Sequence, residues 1–144
     1  MSQSTLSQQI PDPSWVLDPI IEIGVRHALI LSADGIVVGA SGSLGRDESE
    51  GMAAMVSALH GAARAAALVS LEAPDETPIS TITVQLDACG TLMVMPAGGA
   101  NAFIAASFGT DVPMNIVAHT LARQAKNLGE ALMSVPTRAS GPAS

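Results

Sequence analysis

The residues able to do chemistry are few, and their spacing supports little of it. Gly39-Ala40-Ser41-Gly42-Ser43-Leu44-Gly45 falls between a strand-like and a helix-like segment, where phosphate loops sit. A Walker loop needs GxxxxGK[ST], because its lysine reaches the terminal phosphates. No lysine is present here, and Gly39 and Gly45 are wrongly spaced. A nucleophile elbow needs GxSxG, and Gly39 to Ser43 fails at the last position. A hydrolase using Ser41 or Ser43 is therefore remote, and the loop reads as a connector. His27, His60 and His119 have no second His or Cys at ligand spacing, so no metal and no cofactor is expected. Cys89, the single cysteine, stands in a turn without a basic neighbour to make it a thiolate. Asp47, Glu48 and Glu50 form an acidic cluster with no complementary base. No set of nucleophile, base and orienting group emerges, so the chain reads as a non-enzyme.

Composition narrows the classes further. The 144 residues carry 6 Lys plus Arg against 13 Asp plus Glu, a net charge of −7. Six scattered bases make no stripe for phosphates, which excludes nucleic acid and disfavours an anionic membrane surface. Hydrophobic residues are 48% and charged residues 13%, the balance of a folded chain. Aromatics are 2%, and 24 alanines with 7 methionines do the filling. So apolar a small domain has more apolar surface than one copy hides, a first pointer to an oligomer. The longest uncharged stretch of the apolar middle, 51–63, is too short to span a bilayer. The N-terminus lacks a basic start and an apolar run, so no signal peptide is read there. A cytoplasmic setting is expected.

The elements that must position these residues follow from periodicity. Residues 1–13 read as a flexible arm, 14–133 as the domain and 134–144 as a disordered tail. Ser14 is placed as the cap of a short helix ended by Gly24, with Trp15, Val16, Ile20 and Ile23 apolar. Pro19 there implies a kink or a fresh start with Asp18 as N-cap. Val25–Ala33 reads as a strand apolar on both faces, Asp34-Gly35 as a type I′ turn and Ile36–Ala40 as the return strand. A long helix is expected over 46–72, its acidic start complementing the helix dipole. Strands are expected over 78–86, 91–95 and 102–108, with a Gly-Gly turn at 97–101, then a helix over 113–133. In that last helix Met114, Val117, Leu121, Leu128 and Leu132 point inward. Asn115, His119, Arg123, Lys126 and Glu130 point outward.

The order α-β-β-α-β-β-β-α has short connections within each β group. It predicts an α+β fold, a five-stranded, mostly antiparallel sheet between layers of helix. The strands at 25–33 and 102–108 are central, and 78–86 is an edge.

The long helix carries three stripes. Met52, Met55, Val56, Leu59, Ala63 and Ala66 are bulky and are assigned to the sheet. Gly51, Ala54, Ala58, Gly61, Ala65 and Leu68 are small and leave a second apolar face for a partner. An ordinary surface helix has one such stripe. Dimerisation is expected through this small stripe and the edge strand with Thr81 and Thr83. Glu50, Ser57, His60 and Arg64 form a narrow polar stripe, and His60 with Arg64 reads equally as a partner seam or a solvated edge. Asp47, Glu48 and Glu50 read either as a helix start or as a patch that steers a partner.

This order, joined to VRHALILSADGIVVGAS and the acidic-start, Ala/Gly-rich helix at 47–72, resembles the Roadblock/LC7 family over about residues 14–133. More narrowly, it resembles the actinobacterial members encoded beside a small Ras-like GTPase. The resemblance implies a profilin-like fold and a dynein light chain-like, non-catalytic homodimer paired through the long helix and adjacent edge strand. It also implies a bacterial signalling scaffold or regulator that engages a small Ras-like GTPase. The alternative is a small-molecule-sensing domain, since helix–sheet–helix layers can hold a pocket; few aromatics weigh against one.

Overall fold

The computed structural model describes residues 12–97 and 101–140, with side chains of 133–140 excepted. The expected arm therefore lies outside the described residues, apart from Asp12 and Pro13. The chain runs α1 (Ser14–Glu22), β1 (His27–Ser32), β2 (Val37–Ala40), α2 (Arg46–Ser70), β3 (Ile82–Leu86), β4 (Gly90–Pro96), β5 (Ala102–Phe108) and α3 (Met114–Ser140). α3 thus continues past the expected end at Met133.

The strands form one sheet in the order β2-β1-β5-β4-β3, antiparallel at every pairing. The central strands are those without polar alternation. Ala28–Leu31 and Phe103–Ala106 are buried because each face of the sheet is covered. Leu29, Leu31, Phe103 and Ala105 meet α2 on one face. Ala28, Ile30, Ile104 and Ala106 meet α1 and α3 on the other. At about 25 cal/mol per Å² of apolar surface, these two clusters are the main stabilising force.

Several local expectations are corrected. Ser14 is the first helical residue, not the cap, and it donates from N–H (3.1 Å) and Oγ (2.8 Å) to the Asp12 carboxylate. α1 is unbroken across Pro19. Proline removes the N–H that would reach Trp15 O, and Gln124 Nε2 of α3 donates to that carbonyl instead at 3.1 Å. A partner over a hundred residues away is invisible to local pattern. Trp15 itself is 44% exposed and Met114 37%, so neither is a core residue.

The hairpin at Asp34-Gly35 exists but is not type I′. Gly35 has φ +88°, and Asp34 is not in the left-handed region. Gly35 N–H donates to Ser32 O at 2.9 Å and Ser32 N–H to Ile36 O at 2.8 Å, giving a three-residue loop with glycine in its left-handed place. A bulge in β2 follows, where the register shifts between Ile30 and Leu31. β3 begins at Ile82, not Pro78. Pro74 and Pro78 carry no N–H for a ladder, and Arg64 of α2 holds this segment by donating to the Asp75 and Thr77 carbonyls.

Candidate functional site: the outward face of the long helix

α2 meets the sheet through Ser49, Ala53 and Val56, all buried, with Met52, Leu59 and Ala63 packed beside them. Ala53 belongs to none of the three stripes. Met55 and Ala66, assigned to the sheet, are exposed, Met55 by 68%. Each residue turns the helix by about 100°, so Met55 falls to the side of the face that Val56 and Ala53 define.

Three residues of the polar stripe contact their own chain. Ser57 Oγ donates to Ala33 O at 2.8 Å, tying α2 to the β1–β2 hairpin. His60 lies over Phe103, ring centroids 4.4 Å apart and tilted by 49°. Arg64 holds the 75–77 carbonyls. These side chains are engaged by their own chain on the sheet side of α2. Only Glu50 of this stripe is exposed, and it pairs with Arg46 at 3.4 Å. Burial and then the charge of Arg64 push the His60 imidazole below its ordinary 6.5. A depressed histidine contributes stability that is present above about pH 6.5 and lost as the pH falls below it, because the unfolded chain then binds the extra proton. Melting temperatures recorded from about pH 7.5 to 5.5 should fall more for the wild type than for His60→Gln.

The remaining face is apolar and uncovered. Gly51, Ala54, Ala58, Gly61 and Ala65 are exposed, and Leu68 is half-buried. A Cβ added at Gly51 or Gly61 would meet nothing within 4 Å. Val69, at 79% exposure, extends the face toward the helix end. The helix is long and apolar enough to cross a membrane, with mean hydropathy 1.4, yet only 11% of that window is buried. Among the described strands β3 is a sheet edge paired with β4 alone, with Thr83 and Leu86 exposed and Thr81 exposed just before it.

In the acidic cluster, Glu48 Oε1 accepts the Gly45 N–H at 2.9 Å, closing the helix start as a capping residue does. Asp47 is exposed and without a partner among the described residues.

The 39–45 loop is more ordered than a plain connector. Ala28 N–H donates to Ser41 Oγ at 3.2 Å, and Ser43 Oγ donates to Arg26 O at 3.1 Å while lying 2.7 Å from His27 Nδ1. The direction of the His27–Ser43 hydrogen bond follows the His27 tautomer, and Ser43 Oγ also lies 3.2 Å from Ser41 Oγ. No acid among the described residues orients His27. No three potential metal ligands cluster among the described residues, and Cys89 and His119 are exposed.

Three layers, with a five-stranded antiparallel sheet between one long helix and a helix pair, place the molecule with Roadblock and profilin-like folds. Residues 22–106 match the Roadblock/LC7 domain, more than half of the chain, and the protein belongs to that family. Among solved structures, it is similar to a Roadblock/LC7 domain from Streptomyces avermitilis at 26% identity and TM-score 0.74, covering 85% of this chain and 98% of that one. The gliding protein MglB from Thermus thermophilus matches at 19% identity and TM-score 0.71, covering 83% of this chain and 87% of that one. Profilin IA of Acanthamoeba castellanii matches in fold at 12% identity and TM-score 0.54, covering 83% and 98%. No curated protein matches the sequence significantly.

Proposed function

We propose that this chain, acting through its 14–133 domain, is a homodimeric, non-catalytic scaffold that regulates a small Ras-like GTPase in the bacterial cytoplasm. The uncovered apolar face of α2 carries the reading. A 25-residue helix with only 11% of its most apolar window buried demands a second layer. A second copy supplies it with the same surface: Gly51, Ala54, Ala58, Gly61 and Ala65 permit close helix approach across a two-fold axis. The adjacent β3 edge then pairs with its symmetry mate, which removes an exposed ladder. GTPase regulation comes from the family resemblance. A pair of domains with one continuous sheet offers a GTPase a composite surface that neither copy has alone.

Light scattering at tens of micromolar, followed by binding of purified small Ras-like GTPases loaded with GDP or a GTP analogue, tests both halves. A monomeric wild type rejects the dimer. A dimer that binds none of the GTPases rejects the regulator.

The acidic start of α2 is the candidate steering patch for a partner with a basic face. Attraction beyond about 10 Å is screened at 0.1 M salt, so association should be faster at low salt. The double reversal Glu48→Lys with Glu50→Lys should slow association and, because it removes the Glu48 cap, also lower the melting temperature modestly. A lowered melting temperature with an unchanged association rate would show that the cluster only completes the helix start.

A further inference from the structure

On the face of the sheet that α2 covers, one corner is bare. Ile82, Val94 and Ala105 are buried beneath α2. Two residues further along the same strands, on the same face, Val84 pairs with Leu92 and Leu92 with Ser107, and all three are only half-buried. Leu86, next on that face, is 65% exposed. With Cys89 of the β3–β4 turn, these residues line a cavity of about 290 Å³. Among the described residues Arg26 is the one charged member of its lining, and the guanidinium lies at Gly109 beside the Asp111 carboxylate.

α2 has the opposite defect. It starts across the sheet at the β1–β2 hairpin, where Ser57 bonds to Ala33 O, and passes Phe103 of β5 at His60. It then reaches the segment before β3, which Arg64 holds. In strand order this is a path toward the β3 edge. At about 100° per residue, Ala63, Ala67 and Leu71 lie within about 60° of Val56 and share its sheet-facing side. Leu71 follows the last helical residue, and its N–H still bonds to Ala67 O. Yet Val56 is 2% exposed and Leu71 76%. Leu71 has a core residue's orientation and no sheet beneath it. Residues 65–71 carry no charge.

We propose that the bare corner seats the α2 end of a second copy. The inference rests on the dimer proposed above and adds a reciprocal contact to it. A two-fold axis that pairs β3 antiparallel with its mate sets the Ile82 end of one copy beside the Leu86 end of the other. It also keeps both α2 helices on one face of the joined sheet. Leu71 lies seven residues past Arg64, about 10 Å along the helix. Two strand spacings are also about 10 Å, so a helix end that has crossed its own edge lies over β3 and β4 of the mate. There Ala67 and Leu71 cover Val84, Leu86 and Leu92, and the same exchange occurs at the other corner. One chain cannot close this gap by itself, because α2 leaves the sheet at the start of β3 and Leu86 is its end.

Cys89 lines the cavity and is exposed, so it reports on the occupant. The double variant Leu71→Cys, Cys89→Ser is mixed with the unaltered protein and treated with a short bis-maleimide. Covalent dimers should form, and peptide mapping should find links between positions 71 and 89 in excess of 71–71 and 89–89. Leu71→Ala and Leu86→Ala should each weaken self-association about tenfold with unchanged circular dichroism, since both side chains are exposed in the single chain. The double alanine variant should lose less than the product of the two, because both changes remove one contact. A dimer in light scattering that lacks the 71–89 link, or whose two losses multiply in full, overturns the seat and leaves the dimer standing. A monomeric wild type overturns both.

Discussion

Ala58→Glu should leave the chain folded and render it monomeric. Ala58 is exposed in the single chain, midway along the outward stripe between Ala54 and Gly61. Glutamate is a good helix former, so one copy loses only a few tenths of a kcal/mol. In a two-fold seam the substitution occurs twice, and each carboxylate loses water without gaining a partner. An unpaired charge buried in this way costs about 3 kcal/mol or more, roughly a hundredfold or greater in the dimer constant. Ala58→Leu acts on the same seam by overpacking, at about 1–3 kcal/mol. Leu59→Ala is the control, because Leu59 packs toward the sheet. It should lower the melting temperature and leave the dimer in place. Light scattering with thermal melts separates these outcomes. A dimeric Ala58→Glu, or a Leu59→Ala that dissociates while remaining stable, would assign the seam elsewhere.

How much of this face was legible in the sequence depends on what each residue touches. Strands buried on both faces announce themselves, since Ala28–Leu31 and Phe103–Ala106 have no polar alternation. They determined the layer order. The small stripe was legible because Gly51, Ala54, Ala58, Gly61 and Ala65 repeat at helical spacing. The inner face was blurred, because an alanine-rich helix has weak contrast: Ala53 is fully buried and Ala54 exposed. Polar residues misled for a different reason. Ser57 and Arg64 look solvated until the Ala33, Asp75 and Thr77 carbonyls come within reach. Those contacts join positions 11 to 24 apart, beyond any local period. The bond from Ser43 Oγ to Arg26 O was illegible for the same reason, since the two residues meet only once β1 and β2 pair.

The second large effect lies in the β3–β4 hairpin that carries the sheet edge. Gly90→Ala should cost at least about 3 kcal/mol. Gly90 has φ +143°, where L side chains are strained by about 1–3 kcal/mol. A Cβ there would stand 2.3 Å from Phe108 O and 3.1 Å from Gly109 Cα, both backbone atoms of the neighbouring chain segment. No rotamer relieves that overlap, so β4 and β5 must separate where Thr91 pairs with Phe108. At about 2–4 °C per kcal/mol for a domain of this size, the melting temperature should fall by about 6–12 °C. Ala88→Gly, two residues earlier, should act in the opposite sense. Ala88 sits at φ +61°, and releasing it should stabilise by up to about 1 kcal/mol. Because β3 depends on β4 for its only ladder, Gly90→Ala should also weaken self-association below its melting temperature, whereas Ala88→Gly should not. Equal dimer constants for the two variants would show that the β3 edge contributes nothing to the seam and that α2 alone holds the copies together.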